Sequence, residues 1–159
     1  MKKWMKTGLL VLAAVLVLMQ LIPIDRSVPT VNEGDDFLAM VNPVPETAKL
    51  IKSACYDCHS FKTNYPWYAS VAPVSFFDNN HIQEGREHLN FSTWASYGGE
   101  KQKHKLEECA EEIAKAHMPE KTYTWMHAEA RLTEEQRKSL SMFFDALRMT
   151  VPHRRYQED

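Results

Sequence analysis

Glycine is scarce in this chain, five residues among 159. No G-x-x-x-x-G-K-S/T or G-x-G-x-x-G stretch occurs, which argues against a nucleotide-binding loop. The metalloprotease pattern H-E-x-x-H and the G-x-S-x-G nucleophile elbow are missing too, so no hydrolytic constellation competes. There is no internal repeat and no low-complexity tract, and no stretch has a convincing strand pattern. A strong charge of either sign is also lacking, the formal net charge being −2. Setting aside Lys2, Lys3 and Lys6 leaves 16 basic against 21 acidic residues, about −5, which argues mildly against a nucleic-acid partner. What remains is an ordinary globular composition, 44% hydrophobic and 25% charged, of a length suited to one domain.

The first 24 residues stand apart. Lys2, Lys3 and Lys6 precede the charge-free run GLLVLAAVLVLMQLIPI (8–24), the pattern of a secretory signal or an uncleaved anchor. The following LMQLIPIDRS offers no small-residue cleavage site, so a single transmembrane anchor helix over residues 1–24 is expected. By the positive-inside rule the remainder lies on the periplasmic or other extracytoplasmic side of the cytoplasmic (inner) membrane. Residues 25–43 are polar, with prolines, and read as a tether; the domain proper is expected over 44–159.

Along that domain the periodicity is helical. Val44, Ala48, Ile51 and Cys55 share a face, and Pro45 suits a first helical turn. The aromatic stretch 61–77, broken by Pro66 and Pro73, reads as an ordered loop, and 79–97 as one or two short helices. Residues 101–117 predict an amphipathic helix with Leu106, Cys109, Ala110, Ile113 and His117 inward. A final helix opens at LTEEQ, where Thr133 and Gln136 form a capping box, and buries Leu140, Phe143, Phe144 and Leu147. The fold class is therefore mainly α, with long ordered loops.

The chemistry concentrates in SACYDCHS (53–60). Cys55 and Cys58 are one pair of a zinc site, but zinc takes four ligands and Cys109 stands alone on a helix face, where a small core residue is the ordinary reading. A redox dithiol normally opens a helix after a strand, and none precedes this pair. C-x-x-C-H is the attachment signal of a c-type haem, two thiols for the vinyl groups and a histidine for the iron, and it accounts for all three residues. A single copy implies one covalent haem c. For the sixth iron position Met118 is favoured, because Pro119 pushes it out of helical geometry as the preceding helix ends. Met40, Met126, Met142 and Met149 read as core filler, while His127 and His81 are the other candidates.

These stretches resemble the class I c-type cytochromes and, more closely, the bacterial haem-binding domain family of small single-haem proteins. The resemblance rests on CYDCHSFKTNYPWYASVAPVS (55–75), HIQEGREHLNFSTW (81–94) and MPEKTYTWMHAEARLTEEQ (118–136), and spans roughly 44–148. The second of these is foreign to the ordinary class I pattern. The resemblance implies a small cytochrome c-like helical domain, with Cys55, Cys58 and His59 as attachment and proximal ligand and Met118 as distal ligand. By analogy a proline carbonyl would hold the other ring nitrogen of His59, with Pro73 the better candidate and Pro66 the lesser. Tyr65, Trp67 and Trp94 are expected to wall the haem, and a Trp, a Tyr or Arg86 to meet a propionate. Such a protein is an electron carrier between membrane-bound redox proteins rather than an enzyme. An open iron site flanked by His81, Arg86 and His88 would instead make a sensor or a peroxidase-like enzyme, and a structural haem subunit is the third reading.

Overall fold

A computed structural model describes residues 2–152. Seven α-helices are joined by loops and 3-10 turns, with no strand among the described residues. They are α1 (Lys2–Met19), α2 (Phe37–Val41), α3 (Pro45–His59), α4 (Val74–His88), α5 (Gly99–Ala114), α6 (Lys121–Met126) and α7 (Glu134–Thr150).

The frame is a hairpin of α5 and α7. Arg148 bonds Glu107 at 3.0 Å, Ser141 donates to the Ala110 carbonyl at 2.8 Å and Arg137 to that of Ile113 at 2.9 Å. Partners that ascend on one helix descend on the other, so the pair is antiparallel. Leu106, Ala110 and Ile113 meet Leu140 and Phe144 between them, and Cys109 packs against this core as the spacing predicts. The capping box at α7 forms, with Thr133 Oγ1 accepting from Gln136 N–H and Gln136 returning the bond. Helix α5 is shorter than its pattern suggests. Ala116 takes a left-handed φ of 58° and the N–H groups of His117 and Met118 both donate to Glu112 O. His117 therefore lies beyond the helix, exposed and 3.0 Å from the Glu112 carboxylate, not on the buried face.

Two expectations about the N-terminal third need correction. The segment read as a tether contains a 3-10 turn (Glu33–Asp35) and α2, and Phe37 is 0% exposed. Its ring lies 4.9 Å from Phe91, 5.0 Å from Trp94 and 5.9 Å from Phe144. Asp36 caps α2 and accepts from Tyr56 Oη at 2.8 Å, while Lys62 pairs with Glu33 and Asp36. The folded unit thus reaches back to Glu33.

The second correction concerns the anchor. Among the described residues no helix is long and apolar enough to cross a membrane. Helix α1 carries its lysines at positions 2, 3 and 6 and stops at Met19. The stretch between, Thr7–Met19, rises about 20 Å at 1.5 Å per residue, against about 30 Å of hydrocarbon. Gln20 to Ile22 close with tighter i→i−3 bonds, and the Gln20 side chain turns to Ala72, donating to its carbonyl and accepting from its N–H.

Phe37→Ala should lower unfolding stability by about 3–5 kcal/mol in a denaturant titration, the cost of emptying an aromatic core site. A residue in a free tether would leave the transition where it is.

Candidate functional site

Helix α3 starts with Pro45 at its first turn and ends at His59, where Ser60 goes extended. Positions 55, 58 and 59 are i, i+3 and i+4, so the two thiols and the imidazole share one face of its last turn. Ser60 seals the end: its hydroxyl donates to Tyr56 O at 2.7 Å and accepts from Lys62 N–H at 2.9 Å. Burial, with Cys58 adding to it, pushes the Cys55 thiol up to about 12. Burial, followed by the carboxylates of Asp57, Asp78 and Glu120, pushes Cys58 up to about 12.

His59 is fixed by its second ring nitrogen. Nδ1 lies 2.8 Å from the carbonyl of Gly85 and 3.2 Å from that of Leu89. Carbonyls only accept, so Nδ1 carries the hydrogen and the Nε2 lone pair is left for a metal. Burial pulls the imidazole below its ordinary pKa and keeps it neutral. The partner expected from the sequence, Pro73, is not used: its carbonyl accepts from the N–H groups of Phe76 and Phe77 at the start of α4, and that of Pro66 accepts from Ala69 N–H. The carbonyls come from the C-terminal end of α4: Gly85 O shares itself between His59 and the Leu89 N–H at 2.9 Å, and Leu89 O lies one residue past the helix.

That turn reaches His59 because position 85 is glycine. A Cβ there would lie 2.8 Å from Cys58 O and 3.2 Å from Cys58 Cβ. The next residue, Arg86, is buried; its Nε donates to Ser60 O at 2.8 Å, its Nη2 to Thr63 Oγ1 at 2.9 Å, and its guanidinium lies 5.3 Å from the Phe61 ring. Arg86 thus clasps the loop leaving the C-x-x-C-H turn; it is not a free distal group.

Opposite α3 lies the segment 118–130. Arg137 of α7 donates to Met118 O at 2.8 Å, and Pro119 is buried. The carboxylate of Glu120 acts electrostatically on both Cys58 and His59. Tyr123 donates to Asp57 Oδ2 at 2.7 Å and stacks on His127 at 4.1 Å. His127 is committed at both nitrogens, Nδ1 to Glu129 at 2.9 Å and Nε2 to Tyr68 Oη at 2.5 Å, so it is no open iron ligand. His81 bonds Phe77 O through Nδ1 and faces Glu120 through Nε2 at 3.7 Å.

The expected haem walls divide. Tyr65 is half-buried in the loop after the motif. Trp67 is 78% exposed. Trp94 is 4% exposed and its ring neighbours are Phe37, Phe91 and Tyr97, which makes it a core residue. Burial, with Cys55 adding to it, pushes the Cys109 thiol up, yet among the described residues no group of three or more His, Cys, Asp or Glu is placed to hold a metal ion.

The donor set fits a haem: two adjacent neutral thiols, and beside them an imidazole with Nδ1 locked and Nε2 available. The Gly85 and Leu89 carbonyls and the Tyr123–Asp57 bond were not foreseen. A glycine inside a helical segment, EGRE, is the sequence signal for the first, since an interior glycine marks a close backbone approach.

Gly85→Ala should drive α4 off Cys58 and withdraw the carbonyl from His59. The expected result is a several-fold lower haem-to-protein ratio by pyridine haemochrome assay and a loss of about 1–3 kcal/mol in stability. Gly98→Ala, where a Cβ meets nothing within 4 Å, is the control and should leave the haem-to-protein ratio unchanged.

No curated protein and no solved structure matches the chain. The family model described as a haem-binding domain matches residues 14–146, a range that takes in the cysteine pair, His59, Gly85, the Met118 turn and most of α7. On that match the chain belongs to the haem-binding domain family.

Proposed function

We propose that this haem-binding protein is a single-haem c-type cytochrome that carries electrons. Cys55 and Cys58 form the thioether links, His59 Nε2 is the proximal ligand and Met118 the distal one. The observation that carries the reading is the Nδ1 contact of His59 with Gly85 and Leu89, which leaves one nitrogen of defined direction beside two thiols. Bound there, haem supplies one-electron iron chemistry.

The protein groups do the rest. Thiols raised to about 12 are the opposite of the acidic thiols of redox dithiols, which supports attachment over disulfide exchange. Arg137 holds the Met118 carbonyl, so the thioether side chain is presented from a fixed backbone. Of the residues that would flank an open, catalytic iron site, Arg86 is held by Ser60 and Thr63 and His81 bonds Phe77 O. A carrier fits this arrangement better than a sensor or peroxidase.

We place the haem domain on the extracytoplasmic side. Lysines at 2, 3 and 6 ahead of a 13-residue apolar stretch suit a targeting segment, whose hydrophobic part is about 7–15 residues. Partners would be redox proteins met in brief encounters.

The test is the optical spectrum of protein made with a cytochrome c maturation system. Haem should survive denaturing extraction, the reduced form should be low-spin, and the oxidised form should show a sulfur-to-iron charge-transfer band that Met118→Ala abolishes. A wild-type spectrum that is high-spin and shifts with carbon monoxide would overturn the carrier reading. Extractable haem would overturn covalent attachment.

A further inference from the structure

The chain between α1 and the core is strapped across the loop that follows the cysteine motif. Arg26 lies with its guanidinium 4.3 Å from the Tyr65 ring centroid, bonds Ala69 O through Nη2 and reaches Ser70 Oγ through Nη1 at 3.4 Å. Two polar atoms of this stacked pair are buried without a partner, Arg26 Nε and Tyr65 Oη. None of the salt bridges among the described residues involves Arg26. Asn64, next to Tyr65, donates its N–H at 2.9 Å to Asp57, which lies between the two cysteines, so the cluster borders the attachment site.

A buried N–H such as Arg26 Nε without an acceptor is costly, and so is a buried phenol O–H such as that of Tyr65. Two unpartnered donors on stacked side chains suit a carboxylate, which accepts at both oxygens. We propose that Arg26 and Tyr65 bind a haem propionate; the assignment rests on the haem reading above. Arg86, the propionate candidate of the sequence, is instead directed at Ser60 and Thr63 through Nε and Nη2.

Two consequences follow. The N-terminal segment becomes part of the cofactor site, which links residues before the core to the haem edge. The guanidinium also offsets propionate charge near the iron, and so favours the reduced form.

The test uses the full chain with covalent haem. Arg26→Gln and Tyr65→Phe are compared with wild type by redox titration and by the propionate bending band in resonance Raman spectra. In each variant the midpoint potential should move negative and the band should shift. If Arg26→Gln does not fold, Tyr65→Phe, which removes one hydroxyl, carries the same test. Haem-loaded variants with unchanged potential and unchanged band overturn the assignment and leave Arg26 as a strap. A wild type without covalent haem overturns the haem reading itself, and this assignment with it, an outcome the haem-to-protein ratio tells apart from the first.

Discussion

The arrangement depends on one hydrogen bond, from His59 Nδ1 to the carbonyl of Gly85, seconded by Leu89. An imidazole at a helix end has rotational freedom and two interchangeable nitrogens. Two backbone acceptors remove both ambiguities, fixing the tautomer and the direction of Nε2. The Gly85 carbonyl also accepts from Leu89 N–H at 2.9 Å, closing the last turn of α4, so it serves His59 with its second lone pair, while the Leu89 carbonyl lies just past the helix end. The contact therefore requires that α4 end over His59 and that its axis approach α3 closely. Gly85 permits the approach, and Arg86, one residue on, pins the loop leaving α3 so that the two helix ends stay registered.

The opposite side is positioned by different means. The Met118 turn hangs from the α5–α7 hairpin through Arg137, whose guanidinium takes the carbonyls of Ile113 and Met118 together. A hydrophobic core thus sets where the turn begins. Its far side is closed by Tyr123 on Asp57, a residue inside the C-x-x-C-H spacing. The spacer between the cysteines is then a latch: Asp57 also accepts from Asn64 N–H, and its carbonyl accepts from Thr63 Oγ1. Both the loop after the motif and the distal segment are tied to one carboxylate.

What was legible in the sequence was local. The cysteine–histidine turn, the capping box at Thr133 and the stripe of α5 follow from neighbours within one or two helical turns, and the structure has them. What was missed depends on contacts far along the chain. Phe37 sits in a polar, proline-bearing stretch, and only the meeting of Phe91, Trp94 and Phe144 makes it a core residue. The apolar run after the lysines has the composition of a spanning helix, but Gln20 is drawn to Ala72 and the helix stops at Met19. By analogy Pro73 is the partner expected for His59, yet its carbonyl lies at the start of α4, bonded to Phe76 and Phe77 N–H, and His59 meets the other end of that helix.

The charges around the motif have a common sense. Asp57, Asp78 and Glu120 all oppose ionisation of Cys58, and Arg86 is the cation that favours it. Burial and carboxylates together keep the thiols neutral, so the chain folds around them without confining a thiolate. Conversion to thioethers would remove the ionisable hydrogens, and the acidic surroundings would then cost nothing at the sulfurs. At an iron centre the same carboxylates favour the oxidised form, since negative charge stabilises the higher positive charge. A methionine ligand acts in the opposite sense, and so does a guanidinium placed at the haem edge. The potential of such a site is thus a balance between the carboxylates around Cys58 and the ligand and cation set against them.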